Sequence, residues 1–321
     1  MKELYCTDRA GISQEKVVAM CEELLAQYPD VKKALIVPPD YSYAGEITKI
    51  LYPRLKAMGA EVKVMPALGT HMPMSDEEKQ KFFGGVVPDE DILIHHWQTD
   101  TTVLGTIPEE FVNQISEGLY SAEIEVEVNH LLVDGGFDLI LSVGQVVPHE
   151  VVGMANYSKN LFVGLGGRAM INKSHMLSAI CGMEQALGVR DCPARVLYDY
   201  AQQHFIDGKL PVVFLQTVTT RENDVTSLNG LYIGDSRVPF EKACELAQEL
   251  NIVHVERRAK KVVTYLDPEE LKTTWVGNKG IYRTRMIVAD GGEPVLCHND
   301  FFGLNFLIDE DGNTSLIDWE Y

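Results

Sequence analysis

The 321-residue sequence is short of positive charge, with 28 lysines and arginines against 47 aspartates and glutamates. Its formal net charge is therefore −19. Proteins that bind nucleic acid or an anionic membrane surface do so through clustered Lys and Arg side chains. The charge balance thus predicts a protein with no nucleic-acid partner and no membrane partner.

Cysteine pairs at metal-binding or redox spacing are also absent. The six cysteines are widely separated: Cys6, Cys21, Cys181, Cys192, Cys244 and Cys297. No two of them form a CxxC motif, so neither a zinc knuckle nor a disulfide framework is predicted. The opening residues, MKELYCTDRAG, lack an apolar signal core, and no apolar run approaches the roughly 20 residues of a membrane-spanning helix. We expect a cytoplasmic protein.

Short apolar runs alternate with amphipathic segments along most of the chain, and no internal repeat or low-complexity linker interrupts them. The runs predict strands at 34–37, 61–65, 91–96, 126–132, 139–143, 212–215, 228–233 and 262–265. The amphipathic segments predict helices at 14–28, 45–58, 176–187 and 240–250, with further helix starts at 75 and 267–270. This alternation is typical of the α/β class, with a doubly wound parallel sheet and a second, truncated α/β domain.

The stretch from Leu139 to His175 concentrates residue types that carry chemistry. Its apolar run, 139–143, is typical of a buried strand in a parallel sheet, and ligands bind beyond the carboxyl ends of such strands. Several polar side chains and glycines follow that run: Gln145, His149, Lys159, Gly164, Gly166, Gly167, Lys173 and His175. Any one His or Lys is more often a surface residue, but the whole set favours a ligand or metal site.

Polar side chains also follow other predicted strands, namely Asp40, His71 and His96. Asp40 alone is more often a turn residue than a catalytic group. Because the carboxyl ends of parallel strands meet at one edge of a sheet, we expect these side chains to lie near His149.

These motifs resemble the nickel-dependent lactate racemase family. The resemblance rests on Asp40 after two prolines, a Gly-Thr-His ending in His71, the Pro-His of His149, Lys159 ten residues later and His175 sixteen residues further on. The Pro-His, ten-residue, Lys spacing with a later His is its specific part. The resemblance extends from about residue 30 to Gly292.

The resemblance implies a nickel-pincer nucleotide cofactor, which is a modified pyridinium with a nickel–carbon bond and sulfur ligands. It implies that Lys159 tethers this cofactor and that His175 is the protein ligand of nickel. The turn with Gly164, Gly166 and Gly167 is expected to let the backbone come close to the cofactor.

The implied reaction is racemisation or epimerisation of a 2-hydroxy acid by hydride transfer to the cofactor. On the family pattern, His71 and His149 are the general acid/base pair, and Asp40 supports one of them. Imidazole suits this role because it exchanges protons near neutral pH. The enzymes that synthesise the cofactor are expected partners.

One departure from the family pattern concerns the substrate. Tyr43 stands where the family has an arginine three residues after the acid. Since arginine clamps a carboxylate with two hydrogen bonds, both lactate and a larger hydroxy or sugar acid remain open as substrates. Arg168 and Lys173 are further candidates for the missing charge. Lys279, near Trp275, is expected to reach the substrate from the second domain.

A second departure concerns the end of the chain. Residues 1–258 are interpreted as the lactate-racemase-like domain, 259–293 as the truncated start of a second domain and 294–321 as a separate tail. The tail resembles the catalytic loop of choline kinase and aminoglycoside phosphotransferase enzymes: His298, Asp300, Asn305 and Asp318. No nucleotide-binding lobe precedes these residues, so no kinase activity is expected. Residues 305–308 and 315–317 are predicted to form a β-hairpin.

Two other functions remain open from the sequence. One is a truncated, catalytically inactive remnant or ligand-binding protein, since a cleft without its second domain does not exclude water. The other is a zinc or iron hydrolase that uses His71, His149 and His175, because three histidines suffice for a catalytic zinc. The hydrolase would leave Lys159 and the glycine turn unexplained.

Overall fold

The computed structural model describes residues 1–39, 43–222, 225–265, 279–297, 306–308 and 314–316. The chain forms two compact units, Met1–Ile252 and Val253–Tyr321. The three-part division expected from the sequence, with boundaries after residues 258 and 293, stays a prediction.

The first unit contains the α/β sheet and the helices that cover it. Its strands are β1 (Leu4–Thr7), β2 (Lys33–Val37), β3 (Glu61–Val64), β4 (Thr101–Ile107), β5 (Ile124–Asn129), β6 (Leu139–Gln145), β7 (Pro148–His149), β8 (Gly153–Met154), β9 (Val212–Glu222) and β10 (Val225–Gly234). Its α-helices are α1 (Gln14–Leu25), α2 (Ala44–Ala57), α3 (Asp76–Phe83), α4 (Glu109–Ile115), α5 (Leu131–Asp134), α6 (Arg168–Cys181), α7 (Pro193–Ala201) and α8 (Val238–Asn251). A π-helical turn, Asn160–Gly164, precedes α6.

The central sheet has six strands in the order β1-β10-β9-β6-β2-β3. Strands β3, β2, β6 and β9 are parallel, whereas β10 runs antiparallel to β9 and β1 antiparallel to β10. The chain passes from β2 to β3 on one side and later to β6 on the other side of β2. The strand order therefore reverses between β2 and β6, which is where open α/β sheets bind ligands.

Hydrophobic cores fill both faces of this sheet. Leu35 of β2 packs in the core that also contains residues of α6, α7 and α8. Its neighbours Ala34 and Ile36 pack in the core that contains residues of α1, α2 and α3. Because consecutive strand residues point to opposite faces, β2 is buried on both sides, as its continuous apolar run requires. The predicted doubly wound sheet is confirmed, with an antiparallel extension at one edge.

Strand β5 departs from the prediction, which placed a strand at 126–132 in the parallel sheet. It pairs instead with β4 in a separate antiparallel two-stranded sheet. Ile124, Val126 and Val128 are buried, and the acidic Glu125 and Glu127 alternate with them. Such alternation suits a strand with one covered face, whereas a central parallel strand is apolar throughout.

The predicted strand at 91–96 is also wrong. Residues Asp89–Asp91 form a 3-10 turn, and only Ile92 makes a bridge, to Val64 of β3. The buried Asp91 carboxylate accepts hydrogen bonds from three side chains: Tyr52, Lys56 and Lys63. Burial alone would raise the pKa of Asp91, but these donors lower it to about 2. The segment is thus held in place by the hydrogen bonds of the Asp91 side chain and not by the backbone pairing of a strand.

Helix α6 begins before the predicted start at Met176. Its first residue is Arg168, so Lys173 and His175 lie on the helix and not in the loop before it. It ends at Cys181 because Gly182 adopts a positive φ of 93°. The predicted start of α3 is confirmed, with Ser75 in a capping box.

The second unit contains the parallel pair β11 (Ala259–Tyr265) and β12 (Val288–Cys297), with α9 (Lys279–Arg285) between them in sequence. It also contains the antiparallel pair β13 (Phe306–Ile308) and β14 (Thr314–Leu316). The predicted hairpin is therefore confirmed. The predicted helix start at 267–270 and the kinase-like His298, Asp300, Asn305 and Asp318 lie outside the described residues. Within the described part of the chain, no helix is both long and apolar enough to cross a membrane.

Candidate functional site

The loop after β2 is hydrogen-bonded to the loop after β3, and the loop after β3 is hydrogen-bonded to the glycine turn (164–167). The amide of Ala67 donates to the carbonyl of Pro38 at 2.7 Å, and the amide of Gly69 donates to the carbonyl of Gly164 at 2.8 Å. Gly164 has no room for a side chain, because a Cβ atom there would lie 2.5 Å from the Cβ of Ala67. The loop that carries His71 therefore packs directly on the glycine turn.

His71 lies at the exposed end of this loop. Its amide donates to the carbonyl of Leu68 at 3.0 Å, and Gly69 adopts a φ of +59°. A left-handed glycine at this point lets the chain turn sharply just before the histidine. The Gly-Thr-His motif thus carries its imidazole on a tight, anchored turn beyond β3.

His149 lies in the β7–β8 hairpin, which directly follows β6. The amides of Val151 and Val152 donate to its Nδ1 at 3.1 and 3.4 Å. With Nδ1 accepting, the neutral ring carries its proton on Nε2. The buried carboxylate of Glu150 lies 3.7 Å from the same Nδ1. The sequence did not single out Glu150.

Lys159 is half-buried at the start of the π-helical turn. The next residue, Asn160, is buried and anchors this turn to the sheet. Its Nδ2 donates to the carbonyl of Val37 in β2 at 3.2 Å and to the hydroxyl of Ser142 in β6 at 3.1 Å. Asn160 therefore joins β2 and β6 where the strand order reverses, and it places Lys159 beside that point.

A buried histidine holds the glycine turn from the other side. The Nδ2 of Asn129 donates to Nδ1 of His95 at 3.0 Å, so Nε2–H of His95 donates to the carbonyl of Gly166 at 3.0 Å. Burial lowers the pKa of His95, which keeps the ring neutral. The carbonyl of Leu165 accepts from the amide of Asn129 at 2.7 Å. These bonds fix Leu165 and Gly166 against β5.

The N-terminus of α6 already holds an anionic group. The Glu127 carboxylate on β5 accepts from the amides of Ala169 at 2.6 Å and Met170 at 3.4 Å. A Cβ atom on Gly167 would lie 2.6 Å from this carboxylate, so glycine is needed there. Gly167 thus makes room for a protein carboxylate, and a cofactor phosphate would compete with Glu127 for the same amides.

His175 is half-buried on α6, one turn after Ile171. Its Nδ1 lies 2.6 Å from the carbonyl of Ile171 and therefore carries the proton. Nε2 of the neutral ring then has the lone pair that a metal requires. The hydroxyl of Ser178, on the next turn of α6, donates to the carbonyl of Val151 at 2.9 Å. This bond ties the helix of His175 to the loop of His149.

Within the described ranges, no group of three or more His, Cys, Asp or Glu side chains is placed to hold a metal ion. The alternative in which His71, His149 and His175 together bind a hydrolytic zinc is therefore wrong for this structure. These histidines lie on separate elements, namely the loop after β3, the β7–β8 hairpin and α6. A single histidine ligand remains compatible with a metal that brings its other ligands with it.

The supporting acid Asp40 and the expected substrate-binding residues Tyr43, Trp275 and Lys279 are less fully placed. Asp40 and Trp275 lie outside the described residues, and only the backbone of Lys279 is described, at the start of α9. The hydroxyl of Tyr43 lies 3.4 Å from Oε1 of Gln14 on α1.

Two further candidates for the missing positive charge have other partners. The guanidinium of Arg168 lies 5.7 Å from the ring centroid of Trp97. The ammonium of Lys173 donates to the carbonyl of Glu123. Lys173 thus links α6 to the residues before β5, and both contacts give these side chains a structural explanation.

The family model of the lactate racemase N-terminal domain matches residues 20–188, more than half of the chain. This chain belongs to the lactate racemase N-terminal domain family. A Thermotoga maritima protein solved by a structural genomics consortium has a TM-score of 0.82 at 27% identity, over 91% of this chain and 72% of that one. The lactate racemase apoprotein from Thermoanaerobacterium thermosaccharolyticum has a TM-score of 0.59 at 20% identity. A search of curated proteins finds no significant match.

The predicted resemblance to the lactate racemase family is thus confirmed. The family match encloses His71, His149, Lys159 and His175, whereas Lys279 lies beyond it. The alignment with the lactate racemase apoprotein covers 79% of this chain but 59% of that one, and at 20% identity it shows a shared fold.

Proposed function

We propose that this protein is a nickel-dependent racemase or epimerase of a 2-hydroxy acid. The observation that carries the proposal is the state of His175, whose Nδ1–H donates to its own helix and whose Nε2 thus has the donor lone pair. The family match over residues 20–188 supports it, because it encloses this histidine and Lys159. The 2-hydroxy acid and the cofactor-making enzymes are the proposed partners.

The residues present fit one part of a nickel-pincer nucleotide better than another. His175 provides an imidazole nitrogen for nickel, and Lys159 is a half-buried amine beside the reversal of strand order. The amides at the start of α6 are taken by Glu127 and do not form a ready phosphate site. When bound, the cofactor supplies the acceptor for the hydrogen of the hydroxyl-bearing carbon.

The proton of the substrate hydroxyl group is assigned to His71 and His149. As a base, His149 takes the hydroxyl proton on Nε2 in its Nδ1–H tautomer, which gives up the backbone amides that Nδ1 otherwise accepts and places Nδ1–H beside Glu150. In the opposite direction, the resulting imidazolium returns the proton from Nε2. A racemase needs an acid and a base for both enantiomers, and two imidazoles on separate loops meet that need.

Intact mass of protein co-produced with cofactor-making enzymes tests the proposal directly. We expect a mass increment on Lys159 and one nickel per chain. Lys159→Arg should lose the increment, because a guanidinium does not replace the amine as a nucleophile. Lys173→Arg is the matched control, since Lys173 donates to a backbone carbonyl and should keep the increment.

Loss of stereochemical purity separates catalysis from binding alone. Incubation with the cofactor-loaded protein should racemise or epimerise a stereochemically pure 2-hydroxy acid, and lactate and a sugar acid are the first substrates to compare. Nickel-loaded, folded protein that leaves every tested hydroxy acid unchanged would support a catalytically inactive ligand-binding protein. Folded protein with neither nickel nor a mass increment would refute the cofactor itself.

A further inference from the structure

The turn that leads into Lys159 has an unusual backbone. Asn156 and Tyr157 adopt φ values of 66° and 56°, the left-handed region that residues with side chains seldom enter. The carbonyl of Tyr157 accepts the amide of Asn160 at 2.9 Å, so this left-handed pair sets the start of the π-helical turn. Whatever holds Asn156 and Tyr157 therefore also sets the position of Lys159.

Arg195, a fully buried residue of α7, binds this turn with both ends of its guanidinium group. Nη1 donates to the hydroxyl of Ser158 at 2.9 Å, and Nη2 donates to the carbonyls of Met154 and, at 3.2 Å, Asn156. The guanidinium carbon lies 4.5 Å from the ring centroid of Phe240. A planar fork of N–H donors can bind several oxygens at once, and a lysine ammonium does not reproduce that geometry.

The side chains of the turn are held as well. The ring of Tyr157 lies between those of Phe214 and Phe240, with centroid distances of 4.5 and 5.1 Å. Nδ2 of Asn156 donates to Oε1 of Gln216 on β9 at 2.7 Å. Residues of α7, α8 and β9 thus all contact the turn. Among the contacts described above, those of Arg195 are the ones that bind its backbone carbonyls.

Burying a guanidinium group costs free energy because the group loses its hydration. In Arg195, the hydrogen bonds from both Nη atoms all go to this one turn. Its Nε has no hydrogen-bond partner among the described residues. We infer that Arg195 is a positioning residue for Lys159: it holds the left-handed pair Asn156–Tyr157 and thereby sets where the Lys159 amine meets its reaction partner. This inference rests on the proposed role of Lys159 as the cofactor anchor.

The test compares the full-length wild type with Arg195→Met and Arg195→Lys. In Arg195→Met, backbone amides 155–160 should exchange hydrogen at least ten-fold faster, with those of β6 and β9 changed less than three-fold. Acetic anhydride should label Lys159 at least three-fold faster relative to Lys173. After co-production with cofactor-making enzymes, the fraction with a mass increment should fall at least five-fold. Arg195→Lys should show the same changes, since it keeps the charge but not the fork.

The ratio of Lys159 to Lys173 labelling and the nearly unchanged exchange in β6 and β9 distinguish lost positioning from unfolding, which would expose every lysine and every strand. Arg237→Met is the matched control, because Arg237 pairs with Asp191, Asp199 and Glu241 near the same helix. Wild-type exchange and labelling in folded Arg195→Met would overturn the inference, as would equal changes in Arg237→Met.

If Arg195→Met does not fold, Ser158→Ala takes its place, since it removes one oxygen that Arg195 binds. At least a two-fold rise in exchange and labelling would then support the inference, and unchanged values would overturn it. Wild-type protein with no mass increment would instead contradict the proposed function. Exchange and labelling would still decide the role of Arg195.

Discussion

Hydrogen bonds at single residues determine which nitrogen of each histidine faces the chemistry. His149 accepts at Nδ1, His175 donates from Nδ1, and His95 accepts at Nδ1 while donating from Nε2. The sequence identified His149 and His175 through their spacing, but not these states. A tautomer depends on what lies next to the ring in space, and those partners belong to other turns and strands.

The first prediction concerns His175→Ala. Its Nδ1–H bond lies within one helix, so losing it should cost no more than about 1 kcal/mol of unfolding free energy. His204 makes the same kind of bond to the carbonyl of Tyr200, at 2.9 Å, and His204→Ala is therefore the matched control. Urea unfolding should give similar values for both variants, and only His175→Ala should lose nickel. A much larger loss of stability in cofactor-free His175→Ala would mean that the imidazole is a core residue.

The second prediction concerns the pH dependence contributed by His95. Burial lowers the pKa of His95 in the folded state, so the unfolded state binds the proton more readily. Stability should therefore decrease as the pH falls below the ordinary imidazole value of about 6.5, until the lowered folded pKa is reached. Asp100 opposes this shift and His96 adds to it. The decrease should be smaller in His95→Gln, whose amide can still donate to Gly166.

Melting temperatures of wild type and His95→Gln at pH 7.5 and 5.5 measure that difference. Other groups titrate in both proteins and cancel in the comparison. Equal losses on acidification would show that His95 is not the group responsible.

At the scale of elements, the sequence predicted best what depends on local pattern. Strands β2 and β6 are continuous apolar runs because both of their faces are covered, and α3 has its cap within its own sequence. Helix α6 was misplaced because its N-terminus is capped by Glu127, which is distant in sequence. Asn160 and Arg195 were missed for the same reason, since their contacts join distant segments.

The third prediction follows from that long-range cap. Glu127→Gln removes the charge that faces the α6 N-terminus, which should cost about 0.3–1 kcal/mol of unfolding free energy. Hydrogen exchange should become faster at Ala169 and Met170, whose backbone amides donate hydrogen bonds to the Glu127 carboxylate. Glu125→Gln is the matched control, because Glu125 lies exposed on the same strand. Equal effects of the two substitutions would indicate a general charge effect and not a helix cap.

At the scale of the whole molecule, the first unit carries both hydrophobic cores and most of the candidate site. Among the residues whose burial the structure describes, every member of the two clusters lies at or before Leu250. Tyr43, His71, His149, Lys159 and His175 also lie in that unit, and Lys279 lies in the other. Folding and cofactor attachment are therefore expected to be properties of residues 1–252, whereas substrate binding also involves the second unit if Lys279 has its predicted role.

The fourth prediction separates these properties by truncation after Ile252. The fragment 1–252 should fold cooperatively, because its cores are made within it. Its melting temperature should lie within about 5 °C of that of the full chain, which corresponds to a change of at most about 2 kcal/mol for a domain of this size. Co-produced with cofactor-making enzymes, the fragment should carry the same mass increment on Lys159 and the same amount of nickel as the full chain. In the full chain, Lys279→Ala should weaken only the binding of the hydroxy acid. A fragment that folds but takes up no cofactor would show that attachment needs residues beyond 252. A fragment that melts far below the full chain would show instead that the second unit stabilises the sheet, and the boundary of the folding unit would then have to be placed later in the chain.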